Sequence, residues 1–252
     1  MKRLRLSLAL ALALVLALAC PTLAGELTVS AAASLTDAFN TVKPLFEKAN
    51  PGTTLVLNFA ASGPLLKQIE QGAPVDVFAS ADQKTMDDAA GKNLIDTPSR
   101  KNFAQNSLVL AIPASGGAAV KNLASLTDPK VAKIGVGNPE SVPVGRYTKL
   151  ALEKNGMWEK ISPKCILAES VRQVLDYLSR GEIDAGFVYA TDAKKGGDKV
   201  KIVEEIPLEK PVSYPVAIIA TSKDKTAAAK FIAFLGSAEG MGVLEKYGFK
   251  KP

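Results

Sequence analysis

The sequence contains no histidine. Ser-His-Asp triads, Cys-His pairs and histidine-based zinc sites all need an imidazole, so this absence excludes the mechanisms of most secreted hydrolases. Chemistry based on a serine and a lysine stays open as an alternative, but no Ser-x-x-Lys motif stands at a convincing helix start. The composition therefore favours a binding protein over an enzyme.

Cysteines and aromatic residues are also scarce. The chain has two cysteines, and aromatic residues make up 6% of it. If the segment that contains Cys20 is removed during export, only Cys165 remains, which excludes an internal disulfide. We interpret the apolar run around Cys165 as a buried strand with a packed free thiol. Basic residues are interleaved with acidic ones along the chain, unlike the clustered basic patches of nucleic-acid-binding proteins.

The N-terminal segment has the pattern of a secretory signal. Three basic residues within positions 1–5 precede the apolar run 6–19, whose 14 residues are too few for a membrane span. Small residues at 22–24 predict a signal peptide of residues 1–24, a mature chain that begins at Gly25, and a periplasmic location. Lipid attachment at Cys20 is the alternative. Loss of the signal lowers the net charge from +6 to +3, because the signal carries three basic and no acidic residues.

The rest of the chain alternates between strand and helix patterns. This alternation predicts an α/β fold with two doubly wound domains, mostly parallel sheets and helices on both faces. Two long apolar strands, near 107–112 and 212–220, are interpreted as crossings between the domains. Domain I is then expected to comprise 25–105 plus 212–252, and domain II 106–211.

Two segments repeat one pattern at the end of a predicted strand. Residues 27–34 and 55–62 are apolar runs that break into small residues and end on Ser34 and Ser62, each followed by an amphipathic segment. The pattern predicts that each serine is the N-cap of a helix. Helix N-termini carry free N–H groups and partial positive charge, so they bind anions. The alternative is that both serines only cap their helices.

Three further positions stand where a predicted strand leads into a helix. In open α/β sheets, ligands bind at the carboxyl ends of strands. The backbone N–H groups of Val144 and Val171 are candidate donors at two such junctions, and the hydroxyl of Tyr189 is a third. The alternatives are an ordinary helix start for each valine and a core tyrosine for Tyr189.

Arg146 and Arg172 each follow one of these valines by one residue or two. A clamp on a bound anion is one interpretation of the two arginines. The favoured interpretation is that both lie solvated on their helix surfaces, because neighbouring helix positions point about 100° apart.

The order of these motifs resembles the periplasmic molybdate-binding proteins, the substrate-binding components of ABC-type molybdate importers. The resemblance covers essentially the whole mature chain. It rests on AAASLT at 31–36, FAAS at 59–62, GAPVDVF at 72–78, SADQ at 80–83, GNPESVPVG at 137–145 and KYGF at 246–249. It implies a periplasmic-binding-protein-like fold of type II, with the ligand cleft between two hinged domains.

The resemblance also implies a ligand and a set of donors. Molybdate or tungstate would be bound as a dehydrated tetrahedral dianion by neutral groups alone, with no direct metal ligand and no cofactor. The N–H and hydroxyl of Ser34 and of Ser62, the N–H groups of Val144 and Val171, and the Tyr189 hydroxyl would supply the hydrogen bonds. The expected partner is an inner-membrane ABC permease, and the expected state is a monomer.

The sequence departs from the family pattern in two places, and two other functions stay open. Val144 stands where relatives often have alanine, and Gly63-Pro64 replaces a serine-rich stretch, which puts the loop after Ser62 in doubt. A cage of donors should reject monohydrogen phosphate, whose proton needs an acceptor. The first alternative function is a receptor for another tetrahedral oxyanion such as sulfate. The second is a secreted enzyme that uses Ser34 or Ser62 as a nucleophile.

Overall fold

The computed structural model of the chain describes residues 25–117 and 119–252. The predicted signal segment, with Cys20 and its alternative lipid site, therefore lies outside the described residues. Within them, the strands are β1 (Gly25–Ala32), β2 (Thr53–Ala60), β3 (Val77–Ala79), β4 (Lys101–Asn106), β5 (Leu108–Pro113), β6 (Ile134–Gly137), β7 (Cys165–Ala168), β8 (Ala185–Tyr189), β9 (Val200–Ile206) and β10 (Val212–Ile218).

The α-helices of the same residues follow the predicted alternation. They are α1 (Thr36–Ala49), α2 (Ser62–Glu70), α3 (Gln83–Gly91), α4 (Pro143–Lys154), α5 (Trp158–Ile161), α6 (Val171–Arg180), α7 (Ala190–Gly196), α8 (Lys225–Leu235) and α9 (Ala238–Tyr247). No described helix is by itself long and apolar enough to cross a membrane. Helices α8 and α9 meet that test only together, across a 59° bend.

The strands form two five-stranded sheets, one for each domain. The first sheet has the order β2-β1-β3-β10-β4 and the second the order β7-β6-β8-β5-β9. In each sheet three neighbouring strands are parallel, while a fourth, β10 or β5, is antiparallel to the strands on both of its sides. The predicted fold of two α/β domains joined by two crossings is confirmed.

The chain crosses between the sheets at two short connections. One runs from Asn106 through Ser107 into β5, and the other joins the end of β9 at Ile206 to the start of β10 at Val212. Each crossing borders one of the two long strands that the sequence singles out. The domain boundaries themselves, at 105/106 and 211/212, stay a prediction.

Two strands differ from expectation because they lie at sheet edges. Strand β4 was not predicted, since the sequence KNFAQN is mostly polar and an edge strand needs few apolar side chains. Strand β7 was expected to be buried but is also an edge strand, on which Ile166 and Leu167 are exposed and Cys165 is partly exposed. The buried-strand interpretation is therefore wrong, although Cys165 is free as expected and packs, partly buried, against the core.

Helices α8 and α9 return to complete the first domain. Phe231 of α8 packs edge-on against Phe39 and Phe46 of α1, with ring centroids 5.7 and 5.3 Å apart. Aromatic pairs at this spacing and angle stabilise a core beyond the area that they bury. The C-terminal helices thereby fix α1, whose N-terminal end adjoins Ser34.

Candidate functional site

The five predicted donors line one cavity between the two domains. Its wall is formed where β1, β2 and β3 end in the first domain and where α4, α6 and β8 meet it from the second. The volume is about 10 Å³, near the roughly 10–15 Å³ that one buried water needs. The lining residues are Ala32, Ala33, Ser34, Ala61, Ser62, Ala81, Val142, Pro143, Val144, Val171 and Tyr189.

The two serines reach the cavity, but they do not cap helices as predicted. The N-cap of α2 is Ala61, and Ser62 is its first helical residue, while Ser34 lies within a short 3₁₀ turn, Ala33–Leu35, before α1. Neither side chain makes a capping hydrogen bond. Ser62 thus stands one residue after the N-cap of α2, whereas Ser34 stands one residue before Leu35, the N-cap of α1. The capping prediction is wrong, and so is the alternative that capping is the serines' only role.

Each serine hydroxyl instead bonds to another group of the first domain. The N–H of Ala81 donates to Ser62 Oγ at 3.0 Å, and Ser34 Oγ lies 3.0 Å from the hydroxyl of Tyr214. A backbone N–H is only a donor, so Ser62 Oγ is the acceptor and its own proton stays free. Ser34 and Ser62 are at most 2% exposed, so a free proton there needs a partner inside the cavity.

Tyr189 also presents an unpaired hydroxyl. Its side chain is 1% exposed, and within the described residues its hydroxyl oxygen has no hydrogen-bond partner. Burial raises the pKa of Tyr189 well above its ordinary value, so the hydroxyl keeps its proton. Leaving a buried hydroxyl without a partner costs roughly 1–3 kcal/mol, and this orphan group therefore points to a ligand.

The two valines stand at helix starts, as predicted. Helix α4 begins at Pro143, and α6 begins at Val171 behind the N-cap Ser170, whose side chain accepts from Gln173 N–H. The first N–H groups of a helix have no acceptor within it, so those of Val144 and Val171 are available at the cavity wall. Gly145 holds this wall tight, because a Cβ there would lie 1.8 Å from the carbonyl oxygen of Gly137.

Arg146 joins the two domains across one flank of the cavity. Its Nε donates to Asp82 Oδ2 at 2.7 Å, and its Nη2 donates to Thr85 Oγ1 at 2.6 Å. Asp82 is 4% exposed and also caps α3. The expectation of a solvated arginine is therefore wrong, because the partner is on the other domain and is far away in sequence.

Arg172 does the same on the opposite flank. It lies 2.6 Å from Asp37 of α1 and 2.7 Å from Asp192 of α7, and Lys195 approaches Asp37 at 2.8 Å. Partial burial raises the pKa of Asp37, but the hydrogen bonds and charges of Lys195 and Arg172 outweigh it and lower that pKa overall. Because carboxylates hold both Arg146 and Arg172, the arginines bridge the domains rather than clamp an anion.

Asp192 gives this flank a pH dependence. Burial raises its pKa to about 6 against the opposing charge of Arg172, whereas the unfolded chain has a value near about 3.9. Between these values the native protein binds more protons than the unfolded one, so stability falls as pH rises from about 4 to 6.

Asp192→Asn is expected to flatten that slope, which amounts to roughly 1–3 kcal/mol across the window. Urea unfolding at several pH values measures it. Asp37 provides a contrast, because its pKa is lowered. Its contribution to the pH dependence of stability is therefore confined to pH values below about 3.8, outside the window of Asp192. An unchanged slope in Asp192→Asn would contradict the assignment.

The domains also touch through their backbones beside Ser62. The N–H of Gly63 donates to the carbonyl of Ser141 at 3.1 Å. A Cβ on Gly63 would lie 2.3 Å from that same oxygen. The departure at Gly63-Pro64 thus has a structural counterpart, because residue 63 must lack a side chain for the domains to approach this closely.

The cavity has the chemistry of a cage of neutral donors. All of its lining residues within the described chain are uncharged, and the same residues contain no group of histidine, cysteine or acidic side chains able to hold a metal ion. Hydroxyl and N–H groups that point inward from helix starts suit a small anion without protons.

The sequence of the chain fits the family described as bacterial extracellular solute-binding protein over residues 27–250. The chain belongs to the bacterial extracellular solute-binding proteins. One relative, the molybdate-binding protein ModA of Escherichia coli strain K12, is 40% identical over 233 residues, which is 89% of each chain.

Two solved structures of solute-binding proteins share the fold. The periplasmic molybdate-binding protein of Azotobacter vinelandii has a TM-score of 0.79 at 24% identity, over 90% of this chain and 100% of that one. The sulfate-binding protein SubI of Mycobacterium tuberculosis H37Rv has a TM-score of 0.80 at 17% identity, over 90% and 87%. The architecture is therefore common to solute-binding proteins with different ligands.

Proposed function

We propose that this solute-binding protein captures molybdate, and tungstate with it, in the cavity between its domains and delivers it to an ABC importer in the inner membrane. The observation that carries the proposal is the cluster of buried hydroxyls of Ser34, Ser62 and Tyr189 in a cavity without charged lining residues. The extensive identity to a molybdate-binding relative supports the choice of ligand. The protein acts as an exported, monomeric receptor without a cofactor, and it catalyses no reaction.

The hydrogen-bonding capacity of the cavity matches a dianion. Bonds to a charged group contribute about 1.5–3 kcal/mol each, and each helix start adds roughly 0.3–1 kcal/mol. The three hydroxyls and the N–H groups of Val144 and Val171 can together support micromolar to nanomolar affinity after the cost of domain closure. Closure follows from contacts that exist only when both domains meet the ligand.

Two rival functions make different demands on the site. A sulfate receptor would use the same donors in a smaller cage, and a sulfate-binding protein shares the fold. A serine-nucleophile enzyme needs a base beside its serine, yet the lining residues of the described chain include neither a carboxylate nor a lysine. The sulfate receptor is therefore the alternative to test first.

Thermal unfolding of the mature, dialysed protein with about 100 µM molybdate, tungstate, sulfate or phosphate tests the proposal. A ligand at 100 times its Kd stabilises the fold by about 2.7 kcal/mol, which is a shift of several degrees. Stabilisation by molybdate and tungstate alone is the expected result. Stabilisation by sulfate as well would widen the assignment to a general oxyanion receptor, and no response to any of the four ions would refute it.

Removing the bridge on one flank should weaken binding without unfolding the protein. Arg146→Gln takes away the bonds to Asp82 and Thr85, which join the two domains at one flank of the cavity. Loss of one partner of a buried pair costs about 2–5 kcal/mol, but Asp82 regains water whenever the domains open, so we expect about a tenfold to hundredfold loss of molybdate affinity. Calorimetric titration measures it.

Arg180→Gln is the matched control for Arg146→Gln. Arg180 is exposed and lies 3.8 Å from Glu182 on the same domain, and such surface pairs contribute little. Equal affinities for the two variants would show that Arg146 does not hold the domains closed.

A further inference from the structure

A chain of buried hydrogen bonds runs from the first domain crossing to the candidate site. Asn106 Nδ2 donates to Thr191 Oγ1 at 2.9 Å and to the hydroxyl of Tyr214 at 3.2 Å, and that hydroxyl lies 3.0 Å from Ser34 Oγ. Asn106, Thr191, Tyr214 and Ser34 are all buried. Tyr214 is not among the residues that line the cavity, so it acts on a ligand only through Ser34.

One backbone group fixes the direction of the bond from Asn106 to Tyr214. The N–H of Ser107 lies 2.9 Å from the side-chain oxygen of Asn106, and a backbone N–H can only donate. The atom of Asn106 that faces it must therefore be the carbonyl oxygen, which leaves the amide nitrogen to donate to Tyr214. Tyr214 accepts that bond, and its own buried proton also needs an acceptor. Because Ser34 Oγ is the other hydrogen-bond partner of this hydroxyl in the described chain, we infer that Tyr214 donates to Ser34.

Ser34 can donate its own proton, while Tyr214 occupies one of its two acceptor positions. Burial raises the pKa of Tyr214 far above its ordinary value, so the tyrosine holds its proton and remains a donor to Ser34. A lone serine hydroxyl can donate or accept. With Tyr214 behind it, the Ser34 hydroxyl faces the cavity as a donor.

We propose that Tyr214, held by Asn106, occupies one acceptor position of Ser34, turns the serine proton toward the cavity and thereby favours oxyanions that carry no proton. This inference rests on the proposed function. An anion such as monohydrogen phosphate must place its proton on an acceptor, and the relay from Asn106 through Tyr214 to Ser34 takes up part of the acceptor capacity of Ser34. Tyr214 is a positioning residue, and it sets specificity without touching the ligand.

Ser62 also accepts a hydrogen bond, but from a backbone group that a side-chain substitution cannot remove. Ser62 Oγ accepts from the N–H of Ala81, a backbone group, so it too faces the cavity as a donor. Both serine hydroxyls therefore direct their protons toward the cavity. The backbone N–H of Ala81 sets this direction for Ser62, and the side chains of Asn106 and Tyr214 set it for Ser34. The relay is the part of this arrangement that a mutation can test.

A double-mutant cycle between Tyr214→Phe and Ser34→Ala isolates the relay. We expect Tyr214→Phe to weaken molybdate binding about tenfold in calorimetric titration at pH 7.5, because a hydrogen bond of about 1.4 kcal/mol corresponds to a factor of ten. In the Ser34→Ala background the same change should weaken binding less than about threefold, since its target is absent. A tenfold loss in both backgrounds would overturn the proposal.

Competition by phosphate gives a readout that a purely structural role would not move. In Tyr214→Phe the acceptor positions of Ser34 are open, so we expect the ratio of molybdate to phosphate affinity at pH 7.5 to fall at least about tenfold. An unchanged ratio would refute the specificity role. Wild-type protein that binds no molybdate would instead refute the proposed function, so the two failures are distinct.

Tyr247→Phe is the matched control. Its hydroxyl also bonds to a hydroxyl, that of Thr41, at 2.8 Å within the first domain, but Tyr247 has no contact with the five candidate donors in the hydrogen bonds of the described chain. We expect Tyr247→Phe to leave both the molybdate affinity and the affinity ratio within about twofold of wild type. A comparable change of the ratio in Tyr247→Phe would show that the effect is not specific to the relay.

Discussion

The double variant Ser34→Ala with Ser62→Ala is expected to lose molybdate affinity by a factor of about 10²–10⁴. Each serine supplies a hydrogen bond to a charged group, worth about 1.5–3 kcal/mol, and the two lie on different helix starts. Neither side chain caps its helix, so the helices keep their caps, although the Ala81 N–H and the Tyr214 hydroxyl each lose a partner. Isothermal titration with molybdate measures the change in affinity, and urea unfolding of the ligand-free protein measures stability.

Ser237→Ala provides the opposite pattern as a control. Ser237 is a true N-cap, whose side chain accepts from the N–H of Gly240 at 3.1 Å at the start of α9. Its loss should lower stability by about 0.5–2 kcal/mol and leave molybdate affinity unchanged. If the double serine variant kept wild-type affinity, the cavity would not be the binding site.

Gly63→Ala is expected to reduce molybdate affinity by roughly 5- to 150-fold while the ligand-free protein becomes no less stable. The new Cβ would lie 2.3 Å from the carbonyl oxygen of Ser141 on the other domain, and overpacking of this kind costs about 1–3 kcal/mol. The clash is between the two domains, so we expect it to oppose their closure around the ligand rather than the folding of either domain. Within α2 itself alanine is the better helix former, so folding and binding should change in opposite directions.

Gly91→Ala separates the helix effect from the clash. Gly91 ends α3, and no atom lies within 4 Å of the position of its Cβ. This variant should gain up to about 1 kcal/mol of stability and retain its affinity. Thermal unfolding and titration of both glycine variants, side by side, give the comparison. Wild-type affinity in Gly63→Ala would mean that the ligand binds without the close approach of Gly63 to Ser141.

The alternation of strands and helices was readable from sequence because it depends on local periodicity. Helix α3 behind its cap Asp82 and helix α4 from Pro143 are examples, since N-caps and prolines act within one turn. Strand β4 was missed because an edge strand carries little of the apolar pattern that identifies buried strands. The path of the chain was thus predictable where neighbours in sequence decide it.

The candidate site likewise has a part that local sequence patterns predict and a part that they do not. Ser34, Ser62, Val144, Val171 and Tyr189 follow strand ends, and the sheets bring those ends to one cavity. The bridges of Arg146 and Arg172 and the relay through Tyr214 join residues from 61 to 180 positions apart. The arginine bridges depend on how the two domains meet, and the Ser34–Tyr214 contact depends on the strand order that places β10 in the first sheet. No spacing rule within a single helix or strand contains either.

The position of β10 in the first sheet governs the order in which the molecule can fold. This strand lies between β3 and β4, and it follows the whole of the second domain in the chain. During synthesis, which starts at the N-terminus, the chain can therefore complete the second sheet before β10 is available to pair with β4. Such non-local pairing slows folding, since a long loop must close before the contacts form. The first domain is therefore expected to complete its sheet only after roughly the last forty residues, which contain β10, have been synthesised. Until then its N-terminal part stays incompletely folded.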